Sequence, residues 1–287
     1  VFVPGIFAAG IYQINVFVSQ LIASTLDGGS IAALQYSIRL QELVLGLFVV
    51  SVAQVILPTL SEQTARRDDE GVRDTLEYAT ELMAFVTLPA TAGLILVGGP
   101  VIRLLFQSGA FDAESTAKTS FALNFHAMGL IFVALTRVYQ TVFYAHKDLK
   151  TPTAIAAVAA VLNIGLCYGL SIPLGHGGIA LAGSVAAAFS AIAFAVFLRG
   201  RIGALGLGAL APRLGKLALA TTVMIAAVLA WQAVWPADSV VSRAVLALWV
   251  AGVAVWAAAV YLVTCRVLGV NALAGALGAL RRRFLKR

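Results

Sequence analysis

Three polar residues, Gln35, Arg39 and Glu42, follow one another at spacings of four and three residues in the apolar stretch QYSIRLQELVLGLF. In a helix these spacings place the three side chains on one face. If the stretch crosses a membrane, each charge costs at least about 2.5–3.5 kcal/mol and needs a partner, a wet cavity or a function. Arg39 and Glu42 therefore either neutralise each other, helped by Gln35, or line a polar cavity. In a cavity, the free part of the guanidinium fork suits bidentate binding of a phosphate.

Other polar residues also interrupt apolar stretches. Arg137 either extends its charged end toward the nearby interface or lines a cavity. For the second case we include it, with Arg39, among the candidate substrate-binding residues. Gln13 and Asn15 either pack helix against helix or line the same cavity. Asn163 is an isolated amide in a later apolar stretch, where a hydrogen-bonded structural role is favoured over a proton relay.

Catalytic and metal-binding patterns are missing from the sequence. Glu42 is the only carboxylate deep in an apolar stretch, and no H-E-x-x-H, G-x-S-x-G or P-loop pattern occurs. Cys167 and Cys265 lack the spacing of metal ligands or of a disulfide framework, which indicates packing residues. His126 serves either a hydrogen-bonded structure or a proton relay, with the structural role favoured. We expect no enzyme activity, no bound metal and no cofactor.

The composition is that of a membrane protein. Hydrophobic residues make up 61% of the chain and charged residues 11%, with a mean hydropathy of +0.95, against about 45–50% and about 25% in soluble domains. Apolar runs of about 20 residues without alternation predict helices that cross a bilayer. We predict an all-α polytopic bundle with about eight spans, near residues 2–26, 31–60, 76–98, 117–145, 152–173, 177–198, 213–235 and 241–265. Residues 99–116 are predicted to lie at the interface as a short helix and a turn.

The basic residues fix a predicted orientation. Of the 20 Lys and Arg residues, 15 fall on one side of the predicted spans, 3 on the other and 2 within spans. Since positive residues are retained in the cytoplasm, both ends of the chain are predicted to be cytoplasmic. The net charge of +7 is scattered over connections and a C-terminal tail, so we expect membrane lipids and no nucleic acid as partners.

Six short motifs follow one another along nearly the whole chain. They are QIN at 13–15, AS-x-L-x-x-GS at 23–30, Y-x-x-RL-x-E at 36–42, LPTLSE at 57–62, LLFQSGAF at 104–111 and FYAHKDLKTP at 143–152. In their order and spacing they resemble the MurJ (MviN) lipid II flippases of the multidrug/oligosaccharidyl-lipid/polysaccharide exporter superfamily. The resemblance implies a fourteen-helix fold of two lobes, of which this chain would supply the C-terminal eight helices without the N-terminal lobe.

The resemblance also implies a function. The expected substrate is lipid II or a related polyprenyl-pyrophosphate glycolipid, moved from the inner to the outer leaflet of the bacterial inner membrane by alternating access. Arg39 matches a cavity arginine of the family. Some members bind sodium through an Asn and an Asp one turn apart, whereas here Cys167 follows Asn163, so coupling to sodium or to the membrane potential stays open.

Two segments are implied by the same resemblance. Residues 1–200 form a bundle of six spans, and residues 201–287 add two peripheral spans with a groove for the lipid tail, followed by a basic cytoplasmic tail. The alternatives are an exporter of other polyprenyl-linked polysaccharides or of drugs, and a membrane-embedded glycan transferase.

Overall fold

A computed structural model of the chain describes residues 2–203, 207–240 and 242–270. Within these ranges the chain is almost entirely helical, as predicted, and its only β-type contact is an isolated bridge between Ser108 and Phe111. The helices are α1 (Phe2–Ser24), α2 (Ser30–Val44), α3 (Val50–Ala65), α4 (Asp69–Phe106), α5 (Ala113–Met128), α6 (Leu130–Ala145), α7 (Lys150–Leu174), α8 (His176–Ile202), α9 (Leu207–Val234) and α10 (Arg243–Val267). A π-helical turn, Leu45–Val49, joins α2 to α3. The predicted basic tail after residue 270 lies outside the described residues.

The membrane-length helices match the predicted spans. In the described ranges five helices are long and apolar enough to cross a bilayer, or seven if the bent pairs α2/α3 and α5/α6 each form one span. These seven coincide with seven of the eight predicted spans. The remaining prediction, residues 2–26, coincides with α1, a helix of 23 residues that is not among the seven. At 1.5 Å per residue α1 is about 34 Å long. The chain is a multi-pass helical membrane protein.

The prediction of a separate short helix within 99–116 is wrong, because residues 99–106 are the last two turns of α4. Helix α4 continues to Phe106 and is 38 residues long, with its Gly-Gly-Pro sequence inside the helix. A Cβ atom on Gly98 would lie 2.7 Å from the Leu123 side chain, so the glycine permits close approach of α5. Only residues 107–112 form a connection, which ends at the Asp112 cap of α5.

The two prolines of α4 serve as docking points for the last two helices. Helix α4 runs through both Pro89 and Pro100. A proline has no N–H, so each leaves the carbonyl four residues earlier without its helical donor. The Tyr261 hydroxyl of α10 donates to the freed carbonyl of Phe85 at 2.8 Å, and the Gln232 amide of α9 donates to that of Leu96 at 2.9 Å. Neighbouring helices thus satisfy both carbonyls within the bilayer.

Apolar side chains of α4 pack into two separate clusters. One face of α4 joins α3, α6 and α8 around buried residues that include Met83 and Phe143. The other face packs against α9 and α10 around the fully buried Trp249, whose indole N–H donates to the Trp235 carbonyl at 2.8 Å. An ion pair between Arg213 and Glu81, at 3.3 Å, adds a contact at one end of this interface. Helix α4 therefore joins α9 and α10 to the rest of the bundle.

The predicted span 117–145 is broken in the middle. Helices α5 and α6 meet at Gly129 with a bend of 43°. A Cβ atom on Gly129 would lie 2.8 Å from the Cα atom of Ser184 in α8. Only glycine allows the two backbones to approach this closely, so the break belongs to the packing against α8.

Candidate functional site

A polar cavity of about 330 Å³ lies among six helices. Each helix contributes at least one polar side chain to its wall, and apolar residues fill the spaces between them. The polar lining residues are Asn15, Ser19 and Gln20 of α1, Gln35, Gln41 and Glu42 of α2, His126 of α5, Arg137 of α6, Asn163 of α7 and Ser184 of α8. The α2 residues recur at helical spacing, which places them on one face of that helix. A cavity of this size is at the lower end of the range for small-ligand sites, about 300–1,000 Å³.

Four of the six predicted site residues line this cavity, namely Asn15, Glu42, Arg137 and Asn163. The other two, Arg39 and Gln13, are exposed and are not among the lining residues. Arg39 pairs with Glu42, with 3.3 Å between Nη1 and Oε2, while 71% of the Arg39 side chain stays exposed. Glu42 thus links Arg39 to the cavity wall.

Arg137 is the cavity residue with the most unusual environment. Its side chain is half-buried in α6, between lining residues of other helices. It forms no hydrogen bond and no ion pair with any residue in the described part of the chain. A cation taken partly out of water without a counter-ion is costly, so water or an anion must occupy the space beside it. Of the two interpretations from the sequence, the geometry favours the cavity over the interface.

Asn163 is not an isolated amide. It is buried, and its Oδ1 atom accepts hydrogen bonds from the Ser19 hydroxyl at 3.4 Å and from the Cys167 thiol at 3.5 Å. The Oδ1 atom of Asn15, which lines the same cavity, is buried and has no hydrogen-bond partner among the described residues. These neutral groups offer oxygen atoms but no carboxylate, and the described residues contain no group of three His, Cys, Asp or Glu side chains suited to a metal ion.

The broken end of α5 borders the cavity, and three helices supply donors to it. The hydroxyl of Ser184 donates to the Phe125 carbonyl at 2.6 Å and the Gln41 amide to the His126 carbonyl at 2.6 Å. The hydroxyl of Thr91 donates to the Ala127 carbonyl at 3.1 Å. Carbonyls that lose helical donors at a break need such partners inside a bilayer. Sequence analysis missed this arrangement, whose one local signal was the Gly129 residue in an apolar run.

His126 takes part in the same structure. Its Nδ1 atom lies 2.9 Å from the Ser37 hydroxyl of α2, and its ring lines the cavity. These contacts tie α2 to α5 beside the break. Such contacts are expected if His126 has a hydrogen-bonded structural role, which the sequence favoured over a proton relay.

The fold and the cavity together define a class of protein, a helical transporter-type membrane protein with a charged intramembrane cavity. The sequence profile of the family described as "Lipid II flippase MurJ" matches residues 1–259. The chain therefore belongs to the MurJ lipid II flippase family, and it corresponds to the C-terminal part of its relatives.

Individual relatives agree with this assignment. A "Probable lipid II flippase MurJ" of Treponema pallidum is 34% identical over 188 residues, which are 66% of this chain and 36% of that protein. The relative of the same description from Rhizobium meliloti is 31% identical over 288 residues, covering 99% of this chain and 52% of that protein. The chain thus spans about a third to half the length of these curated relatives.

Solved structures show the same fold. A lipid II flippase MurJ in an inward closed conformation aligns with a TM-score of 0.74 and 26% identity, over 91% of this chain and 51% of that one. A transporter of the MOP superfamily from Pyrococcus furiosus aligns with a TM-score of 0.59 over 80% of this chain. Its 12% identity shows a shared fold only.

Proposed function

We propose that the intact protein to which this chain belongs moves lipid II, the undecaprenyl-pyrophosphate-linked peptidoglycan precursor, across the bacterial inner membrane by alternating access. The family supports this substrate, because the curated relatives are described as lipid II flippases. Since the chain spans about half of the longest-matched relative, a second lobe would form the opposite wall of the path. In this proposal the C-terminus and the basic connections face the cytoplasm.

The observation that carries the proposal is the unpartnered Arg137 in the wall of the cavity. A guanidinium presents five N–H donors in a planar fork that matches a phosphate, so a pyrophosphate would supply the missing counter-ion. The cavity holds about 330 Å³, enough for a pyrophosphate or a sugar ring but not for a complete sugar-peptide head group. The remainder of the head group would lie between the two lobes.

Arg39 and Glu42 have a supporting role in this proposal. Arg39 is exposed beside the cavity and uses one of its nitrogen atoms for Glu42, which leaves donors for an approaching phosphate. Glu42 orients this fork and keeps its charge near the cavity. A pyrophosphate in the path would contact Arg39 on the exposed side of α2 and Arg137 in the wall of the cavity. Gln13 and Asn15 of α1 would add polar contacts along the same path.

We further propose that α9 and α10 accompany the polyprenyl tail. Both helices pack on α4 and on each other, away from the cavity. They expose large apolar side chains that include Leu248, at 71% exposure, and Val255, at 70%. Such a surface is suited to an isoprenoid chain in the bilayer.

Substitution of Arg137 in the intact protein tests the proposal. Arg137→Gln removes the charge and keeps a polar side chain, so complementation of a flippase-depleted strain should be lost while the protein still accumulates in the membrane. Arg66→Gln is the matched control, because Arg66 is exposed just after α3 and its ion pair among the described residues is with Glu62. Growth of the Arg137→Gln strain at the wild-type rate, with wild-type expression, would refute the assignment.

A second measurement separates lipid II from other cargo. Purified protein in vesicles should move labelled lipid II, and unlabelled lipid II should compete. A polyprenyl-linked glycan of another composition, or a hydrophobic drug, should compete at least about tenfold less well, a difference of about 1.4 kcal/mol in binding. Equal competition by either would favour the exporter alternatives. Release of a cleaved glycan product would favour the transferase.

A further inference from the structure

Two grooves meet where α7 begins and α8 ends, beside the connection 146–149. They share the lining residues Thr151 and Phe197. We name them together the α7–α8 groove. One part has a volume of about 380 Å³ and the other of about 340 Å³. Beyond the shared residues, the first is lined by Phe143, Val196, Gly200 and Arg201, and the second by Lys150, Ala154, Ile155, Val158, Phe189 and Ala193.

The chemical character of the α7–α8 groove changes along its length. Its cations, Lys150 and Arg201, lie at the helix ends, whereas the residues farther along α7 and α8 are apolar. Val158 lies eight residues after Lys150, which is about 12 Å along a helix. Phe197 is 56% exposed and Val158 is 54% exposed, so the apolar part opens outward. A charged end followed by an apolar furrow matches the arrangement of polar and apolar parts in an amphiphilic molecule.

The two cations are not neutralised within the described part of the chain. Arg201 donates to Asp148 at 3.1 Å through one nitrogen atom, and its guanidinium lies 5.6 Å from the centre of the Phe143 ring. The other guanidinium donors have no partner, and the ammonium group of the exposed Lys150 has none either. This end of the groove therefore holds two cations and one carboxylate, which pairs with Arg201.

Asp148 has no remaining capacity to bind Lys150. One carboxylate oxygen accepts the backbone N–H groups of Lys150 and Thr151, both at 3.1 Å. The other accepts the Thr151 hydroxyl at 2.8 Å and the Arg201 guanidinium. Asp148 thus accepts the first N–H groups of α7 and holds Arg201 in place, and the charge of Lys150 stays available.

A third cation stands next to this end in a strained conformation. Lys147 has a φ angle of 57°, a backbone region where glycine is the usual residue because it has no Cβ atom. Its side chain is exposed. A lysine at a position that favours glycine adds positive charge beside the groove at a conformational cost.

We propose that the α7–α8 groove is a binding site for a phospholipid with an anionic head group. The head-group phosphate lies against Lys150 and Arg201, and one acyl chain follows the furrow past Ala154 toward Val158. Charge complementarity selects the anionic head group, since each cation near a membrane surface adds roughly fivefold to the affinity for anionic lipid. The proposal does not depend on the cargo of the intact protein.

Photo-crosslinking of the intact protein in detergent tests this site. Two probes with the same photoactivatable acyl chains are used, phosphatidylglycerol and phosphatidylcholine. Phosphatidylglycerol should label peptides covering 150–158 and 193–201 at least about fivefold more strongly than phosphatidylcholine. An excess of inorganic phosphate should not displace it, because the acyl chain contributes to binding.

Two substitutions with matched controls make the test specific. Gly200→Leu fills the groove, and a Cβ atom at Gly200 meets no other atom within 4 Å, so the fold should be kept. Lys150→Gln removes the free cation. Lys150→Gln should lower phosphatidylglycerol labelling about fivefold, and Gly200→Leu should lower labelling by both lipids. Neither should change the melting temperature by more than a few degrees. The controls are Gly165→Leu, where the added atom is equally unobstructed, and Lys216→Gln, an exposed cation on α9.

Several outcomes would overturn the proposal. One is equal labelling by the two lipids. Another is undiminished labelling of folded Gly200→Leu protein. Displacement by inorganic phosphate would show a simple anion site, and stronger labelling by a polyprenyl phosphate than by phosphatidylglycerol would assign the groove to the cargo.

Discussion

At the scale of single residues, ion pairing and hydrogen bonding distinguish the arginines of the chain. Arg137 lines the cavity and has no partner among the described residues, whereas Arg201 pairs with Asp148 and Arg213 with Glu81. Arg201 still keeps guanidinium donors that its single bond to Asp148 does not use. In the proposed function, all donors of Arg137 are available to a ligand.

Asp148 offers a prediction at this scale. Burial by itself raises the pKa of its carboxyl, but hydrogen bonds from Thr151 and the ion pair with Arg201 outweigh that effect and leave the pKa below its ordinary value. Asp148→Asn keeps an oxygen that can accept the N–H groups of α7 but removes the charge, so it should destabilise the protein by about 0.3–1 kcal/mol, the usual effect of a charge near a helix N-terminus. Thermal unfolding of the intact protein in detergent, compared at neutral pH, measures this loss.

The pH dependence of the same variant provides a check. A carboxyl with a lowered folded-state pKa stabilises the protein above its unfolded-state pKa, and that contribution is lost as the pH falls through the folded-state value. The difference in melting temperature between the wild type and Asp148→Asn should shrink as the pH falls from about 5 to about 3. A difference that stays constant over this range would contradict the assigned ion pair and cap.

At the scale of helices, the break between α5 and α6 shows how an irregular backbone is kept inside a bilayer. Gly129 lets α8 approach, and Ser184, Gln41 and Thr91 supply donors to the last carbonyls of α5. Three helices are thereby joined at one point beside the cavity. The break is a consequence of packing and is not caused by a proline.

Two glycine substitutions should have opposite effects. Gly129→Ala places a Cβ atom 2.8 Å from the backbone of Ser184 and should cost about 1–3 kcal/mol, the usual cost of overpacking. Gly165→Ala adds a Cβ atom with no neighbour within 4 Å, so it should stabilise α7 by up to about 1 kcal/mol through helix propensity. Melting temperatures of the two variants would show the sign of each effect. Equal melting temperatures would contradict the close approach at Gly129.

At the scale of the whole molecule, α4 connects the cavity-forming helices to α9 and α10. The prolines of α4 expose carbonyls on the side where α9 and α10 pack, and Tyr261 and Gln232 use them. Proline, which usually weakens a helix, here provides the polar contacts between two parts of the bundle. This explains how a long helix holds two prolines without a break.

A double-mutant cycle tests this coupling. Tyr261→Phe removes the hydroxyl and should cost about 0.6–2 kcal/mol. In a Pro89→Ala background the backbone N–H of residue 89 can occupy the Phe85 carbonyl, so the cost of Tyr261→Phe should fall below about 0.5 kcal/mol. Unfolding measurements on the four proteins give the coupling energy. Tyr168→Phe, at a tyrosine that is 71% exposed, is the control, and additive effects would argue against the proline-linked contact.

A prediction about ion coupling also belongs to the scale of the whole molecule. The Asn163 cluster contains Ser19 and Cys167 but no carboxylate, and Na⁺ sites are favoured by negatively charged oxygen ligands. We expect lipid movement by the intact protein to depend on the membrane potential and to change less than twofold when sodium is replaced by potassium. Vesicle assays with each cation at a fixed potential measure this. Strong stimulation by sodium would restore Asn163 as an ion ligand.

The sequence by itself determined the membrane class, most of the spans and the resemblance to the family. Hydropathy and helical spacing are local properties, so they could be read along the chain without knowledge of packing. The pairing of Arg39 with Glu42 could be predicted in the same way, because the two residues are three positions apart on one helix.

Only the tertiary structure decided which polar residues meet. The cavity joins Asn15 with Asn163 and Glu42 with Arg137, from helices far apart in the sequence, and no local pattern contains such distances. The break at Gly129 was also hidden, because its cause is a side chain of α8 that lies 55 residues farther along the chain. Any sufficiently apolar helix is stable in a bilayer, so hydropathy alone does not specify which helices pack together. The position of a cavity or of a helix break depends on which helices are in contact.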